Sequence, residues 1–116
     1  MRKFLPAALL LLLTACQGND SLITGTWTLQ QETTSVGTPL EGAKGTLTLD
    51  PAGTYTLKET ATSTGQWYLL KHRDTEKRAL RLDATEGVFN IYSVDTLTAS
   101  RMVLRTGFGR RMVYVK

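Results

Sequence analysis

Lys44-Gly45-Thr46-Leu47-Thr48-Leu49-Asp50-Pro51-Ala52-Gly53-Thr54-Tyr55-Thr56-Leu57-Lys58 is the stretch that decides the fold. Leu47 and Leu49, then Tyr55 and Leu57, recur at every second place on either side of a central break. Successive side chains of a strand point to opposite faces, so this period marks two strands with one buried face each. The break, Asp50-Pro51-Ala52-Gly53, has turn chemistry: proline presets φ at the second place and glycine accepts a positive φ. The stretch reads as a hairpin with its leucines and Tyr55 inward.

The same period extends in both directions. Upstream, Gly25-Thr26-Trp27-Thr28-Leu29-Gln30 alternates with Trp27 and Leu29 inward. Between it and the hairpin, Glu32 to Gly45 is rich in Thr, Ser and Gly and reads as a loop. Downstream, Gln66 to Leu70 places Trp67 and Leu69 inward and Tyr68 and Leu70 outward. Lys71 to Lys77 is a charged tip. Ala79 to Asp83 follows, with Leu80 and Leu82 inward. Val88 to Leu97 reads as one long strand with Phe89 and Ile91 sharing the inward face. Val94 and Leu97 break the alternation there, which predicts a β-bulge near Ser93 to Asp95. Met102 to Leu104 and Arg111 to Val115 complete the set. No helix is predicted after Cys16.

Eight short strands at even spacing indicate a sandwich or a barrel. Greek-key sandwiches need long crossing connections, and only Glu32 to Gly45 is long enough to be one. Exposed strand edges invite aggregation, and closure removes them. The expectation is an all-β, eight-stranded antiparallel up-and-down meander barrel.

The N-terminus carries a different signal. Met1-Arg2-Lys3 is basic, Ala7 to Leu13 is apolar, and Leu13-Thr14-Ala15-Cys16 follows. Charge, a short apolar run and small residues before a cut are the order of a secretory signal. The apolar run falls short of the roughly 20 residues that a transmembrane helix needs. The alternative is an ordinary signal peptide with a cysteine nearby. With cysteine directly after the cut, the four residues resemble the lipobox of bacterial lipoproteins. That resemblance implies acylation of Cys16, and Gln17 in place of aspartate implies the outer membrane. The expected organisation is a signal peptide over 1–15, a lipidated tether over 16–24 and a barrel over 25–116.

Beyond the signal, the pattern Gly25-x-Trp27, Thr46 to Leu49, Gly53-Thr54-Tyr55, Gly65-x-Trp67 and Leu80-x-Leu82 resembles the small lipocalin-like domains of bacterial lipoproteins. The resemblance spans Gly25 to Lys116. The chain is shorter than typical lipocalins and has neither their disulfides nor a visible C-terminal helix. It implies a barrel that binds a ligand in its cup or a protein at its rim.

Composition narrows the function classes. The formal charge of +4 includes Arg2 and Lys3, and falls to about +2 without them. Neither that balance nor an exported address fits nucleic acid. Cys16 is the single cysteine, so no disulfide framework and no cysteine zinc site can form. His72, the one histidine, lies in the charged tip with no oriented nucleophile and reads as a solvated turn residue. Gly107-Phe108-Gly109 lacks the context of a phosphate loop. Catalysis, metal and cofactor are therefore not expected. Arg101, Arg105, Arg110, Arg111 and Lys116 read as outward charges that protect strand faces, or as a surface for an anionic partner.

Trp27, Tyr55, Trp67 and Phe89 all point inward by alternation. They line an open cup or fill a closed core, because an eight-stranded barrel is just wide enough for either. A cup makes the protein a lipid-anchored envelope binding module for a small apolar ligand. A filled core makes it a structural or interaction lipoprotein, an assembly factor or an inhibitor of an envelope enzyme. A cavity of about 300 Å³ or more favours the first.

The anchor is testable by itself. Cys16→Ser should leave the domain folded and unacylated, and shift the chain out of the membrane fraction on a mild detergent wash. Retention as firm as wild type would refute lipidation.

Overall fold

In a computed structural model, residues 20–72, 74, 75 and 77–116 are described. The expected signal segment over 1–15, Cys16 and Gln17 lie outside these residues. A single helical turn, α1 (Asp20–Ile23), leads into eight strands. They are β1 (Gly25–Thr33), β2 (Thr46–Leu49), β3 (Thr54–Lys58), β4 (Thr62–Lys71), β5 (Arg78–Ala84), β6 (Phe89–Leu97), β7 (Arg101–Arg105) and β8 (Arg111–Val115). Each strand pairs with the next, and β8 pairs with β1, which closes an antiparallel up-and-down barrel.

The hairpin forms as its sequence dictates. Leu47 faces Leu57, and Leu49 faces Tyr55. Gly53 takes φ +100° and donates its N–H to the Asp50 carbonyl. Asp50 also accepts the Ala52 N–H on Oδ1 at 2.7 Å, a local bond that aspartate supplies in turns. Gly65 answers a steric demand. A Cβ there would collide with the backbone carbonyl of Asp83 on β5, so the two strands meet at a place only glycine allows.

One end of the barrel is sealed. Trp27 is fully buried, and its indole N–H donates to the Ile23 carbonyl at 2.7 Å. Lys116 crosses beneath, its Nζ 4.5 Å from the Trp27 ring and 3.1 Å from the Leu22 carbonyl that it donates to. Gly25, at φ +122°, lets the chain turn tightly from α1 into β1 under that lysine. Ile23 is buried with Trp27 in the core. The helix escaped the sequence reading because one turn carries no 3.6-residue pattern. It packs part of the expected tether segment against the barrel.

Trp67 and Tyr55 fill the barrel further. The Trp67 indole N–H donates to the Asp50 carbonyl at 2.8 Å, and the Tyr55 hydroxyl bonds Ser63 at 2.9 Å. Trp27, Tyr55 and Trp67 thus belong to one packed cluster with Leu29, Leu47, Leu49, Leu80, Leu82 and Met102.

Phe89 is a correction. It is 53% exposed on the outside of β6, with Ile91 beside it on the same face. Residues paired across strands share a face. Leu82 pairs with Asn90 and Leu80 with Tyr92, so the inward leucines of β5 turn Asn90 and Tyr92 inward. Phe89 is left outside, where the Arg81 guanidinium stacks 4.3 Å from its ring. The bulge itself falls at Asp95, between Val94 and Thr96, within the expected range. A second bulge interrupts β1 at Gln30, between Leu29 and Gln31.

Inside and outside have different costs. Trp27→Ala should lower stability by about 3–5 kcal/mol, the range for a buried aromatic. Phe89→Ala should cost about 1 kcal/mol or less, the scale of an exposed cation–π contact. Chemical denaturation of both variants checks the contrast; equal losses would contradict the outward placement.

Candidate functional site

The bulge at Gln30 decides what the open end contains. Trp27 and Leu29 face inward before it. After it, Glu32 takes the inward place, paired with Met112 of β8. Bulges re-aim side chains in this way because one residue drops out of the alternation. Without the bulge, Gln31 would have pointed in and Glu32 out.

A cavity of about 450 Å³ occupies the end of the barrel remote from Trp27. Its wall includes Glu32, Leu57, Asn90, Tyr92, Met112 and Tyr114. Its rim carries Glu59, in the connection from β3 to β4, together with Arg110 and Phe108 of the β7–β8 turn. Phe108 is almost fully exposed there. Arg110 bridges wall and rim: its Nε lies 2.7 Å from Glu32 Oε2, with the Glu32 side chain only 13% exposed.

The phenols differ in how they are satisfied. Tyr55 bonds Ser63, and Tyr68, on the outer surface, donates to Gln66 at 2.7 Å. The hydroxyls of Tyr92 and Tyr114 line the cavity and bond to no side chain or backbone group among the described residues. Tyr114 as a whole is 3% exposed, yet no buried side-chain oxygen among the described residues lacks a partner, so its hydroxyl is reached by solvent. Burial pushes the Tyr114 phenol well up, and the charges of Glu59, Tyr92 and Glu32 push the same way. Burial also raises Tyr92, with Glu59 the next contributor and Arg110 opposing. Both therefore stay neutral hydroxyls across the physiological range.

None of the four aromatics singled out by alternation lines this cavity. Trp27, Tyr55 and Trp67 pack the barrel elsewhere, and Phe89 is outside. The residues that do line it were missed for identifiable reasons. Glu32 lies beyond an unmarked bulge in a segment that reads as loop. Tyr92 and Asn90 follow the parity opposite to Phe89. Tyr114 is in phase with Met112 on a strand whose inner face is set by its pairing with β1. The available signal was Tyr92 lying in step with Val94, which is buried.

Elsewhere the chemistry is sparse. His72 is exposed, and its Nδ1 accepts the Asp74 N–H at 3.2 Å, a turn contact. Among the described residues no three His, Cys, Asp or Glu side chains converge as metal ligands. No helix among them is long and apolar enough to cross a membrane. The basic residues of β7 and β8 disperse: Arg105 pairs with Asp95, Arg110 with Glu32, and Lys116 caps Trp27.

The raised phenols give a pH test. A tyrosine whose folded pKa exceeds its unfolded value of about 10 adds stability below that pH, and loses it as pH rises toward the folded value. The urea midpoint should fall between pH 9 and 11, and fall less in Tyr114→Phe. Parallel slopes for the two proteins would show Tyr114 titrating normally.

No protein-family model matches the chain, and no curated protein matches it. Among solved structures, the fold is similar to the crystal structure of a lipocalin-like protein from Bacteroides uniformis ATCC 8492. The TM-score is 0.63 at 16% sequence identity, over 80% of this chain and 96% of that one. At this identity the likeness is one of architecture: the chain has the closed eight-stranded barrel of a lipocalin-like protein.

Proposed function

We propose that the protein is a non-enzymatic binding module of the bacterial cell envelope, tethered by lipid on Cys16, that holds a small ligand in the open end of its barrel. The observation that carries this reading is the cavity of about 450 Å³ with a sealed floor and an open mouth. Ligand sites of small molecules start at about 300 Å³ and combine apolar walls with a few placed polar groups. Leu57, Met112 and the rings of Tyr92 and Tyr114 supply the first; Glu32, Arg110, Asn90 and two hydroxyls supply the second. The packed cluster of Trp27, Tyr55 and Trp67 extends up to Met112 and Tyr114, and the cup opens above it. The lipobox supports the envelope address, and Gln17 supports the outer membrane.

Blocking the cup tests the reading. Asn90 points into the cavity and lies outside the packed cluster, so Asn90→Trp should fill the space with a stability change under about 1 kcal/mol. An unacylated form starting at Gln17 should enhance Nile red fluorescence saturably, and Asn90→Trp should abolish the enhancement. Equal binding by both forms would place the dye elsewhere, and no binding by either would remove the cup as a site.

A further inference from the structure

The cavity wall also carries information about charge. Its ionisable members are Glu32, Glu59 and Arg110, together with the phenols of Tyr92 and Tyr114. Arg110 is already committed to Glu32 at 2.7 Å. Among the described residues no lysine or arginine pairs with Glu59. With the phenols neutral, one negative charge remains unbalanced at the mouth. An anionic ligand would meet two carboxylates and a single guanidinium whose nearest partner is one of them. A cation would meet an unpaired carboxylate and two aromatic rings.

The hydroxyls point the same way. Tyr114 is almost wholly buried and lines the cavity, and its solvent-accessible hydroxyl bonds to no side chain or backbone group among the described residues. The Tyr92 hydroxyl likewise bonds to no side chain or backbone group among the described residues. A phenol oxygen accepts a hydrogen bond from an ammonium N–H, and a phenol ring attracts a cation over its face. Leu57 and Met112 complete an apolar wall against which a hydrocarbon body packs.

We propose that the ligand is an organic monocation, an amine with a compact apolar body, whose ammonium group is held between Glu59 and the hydroxyls of Tyr92 and Tyr114. This rests on the cup being a binding site. Glu59 sets the preference for charge, and the two tyrosines position the amine. Arg110 remains with Glu32 and excludes a second cation from that side. The bulge at Gln30 is what puts the Glu32 carboxylate inside to hold the arginine.

A matched set of compounds tests the charge preference: 3-phenylpropylammonium, 3-phenylpropan-1-ol and 3-phenylpropanoate, titrated calorimetrically into the mature protein purified from its envelope. They share one apolar body and differ in the charge of the head. The ammonium should bind about tenfold tighter than the alcohol, as one favourable charge contact near a surface allows, and the carboxylate weakest. Glu59→Gln, a change in an exposed rim residue, should remove most of that difference and leave the alcohol's affinity unchanged. Tyr114→Phe should weaken the ammonium by about fivefold, the scale of one lost hydrogen bond. Alcohol or carboxylate binding at least as tightly as the ammonium would overturn the monocation and leave the cup as a binding site. An ammonium affinity unmoved by Glu59→Gln would overturn it too. Absence of saturable binding by all three would remove both readings.

Discussion

The hydrogen bond from the Trp27 indole to the Ile23 carbonyl holds the sealed end of this barrel together. A fully buried indole needs a partner for its N–H, and here the partner is the last residue of a single helical turn that cannot persist alone. The turn therefore exists because the tryptophan fixes it, and the tryptophan is buried because the turn and Lys116 cover it. The turn before β1 and the lysine after β8 meet at one ring. With the floor packed this way, both tryptophans are used at one end, and the other is left to a more polar set that includes Glu32, Asn90, Tyr92 and Tyr114.

Two bulges then determine what those groups are. In a strand with one buried face, parity is set by whichever residues the neighbouring strand presents. A dropped residue resets it. The bulge at Gln30 aims a carboxylate into the barrel, and the one at Asp95 reconciles Tyr92 and Val94 above it with Leu97, paired to Met102, below. The open end is polar as a result of geometry as much as composition. Glu32 would be an ordinary surface residue in an unbroken strand.

This explains which parts of the molecule were legible from the chain. Leu47, Leu49, Tyr55 and Leu57 bracket a turn of definite chemistry, so their hairpin needed no tertiary information. Trp27 and Trp67 followed from the same alternation. Phe89 misled because hydrophobicity is a preference and register is a constraint: β5 presents Leu80 and Leu82 inward, and Phe89 must then face out. Its exposure is moderated by the stacked Arg81. The cavity was illegible because it depends on Glu32 and Tyr114, brought together by β1–β8 pairing across most of the chain, and no local period encodes that.

The same pairing has a kinetic consequence. Every other ladder in the barrel joins neighbours in sequence, and all of those but β1–β2 close over short loops at little entropic cost. The β1–β8 seam alone must wait for the whole chain. A vectorially synthesised protein exposes its first strand early. Until β8 arrives, the edge of β1 offers unpaired backbone groups to any other strand. The slow event in folding is therefore the joining of the first and last strands, and it also assembles Glu32, Met112 and Tyr114 into one wall. Chains that have not finished folding lack the cup altogether, so an intact open end reports completion of the barrel.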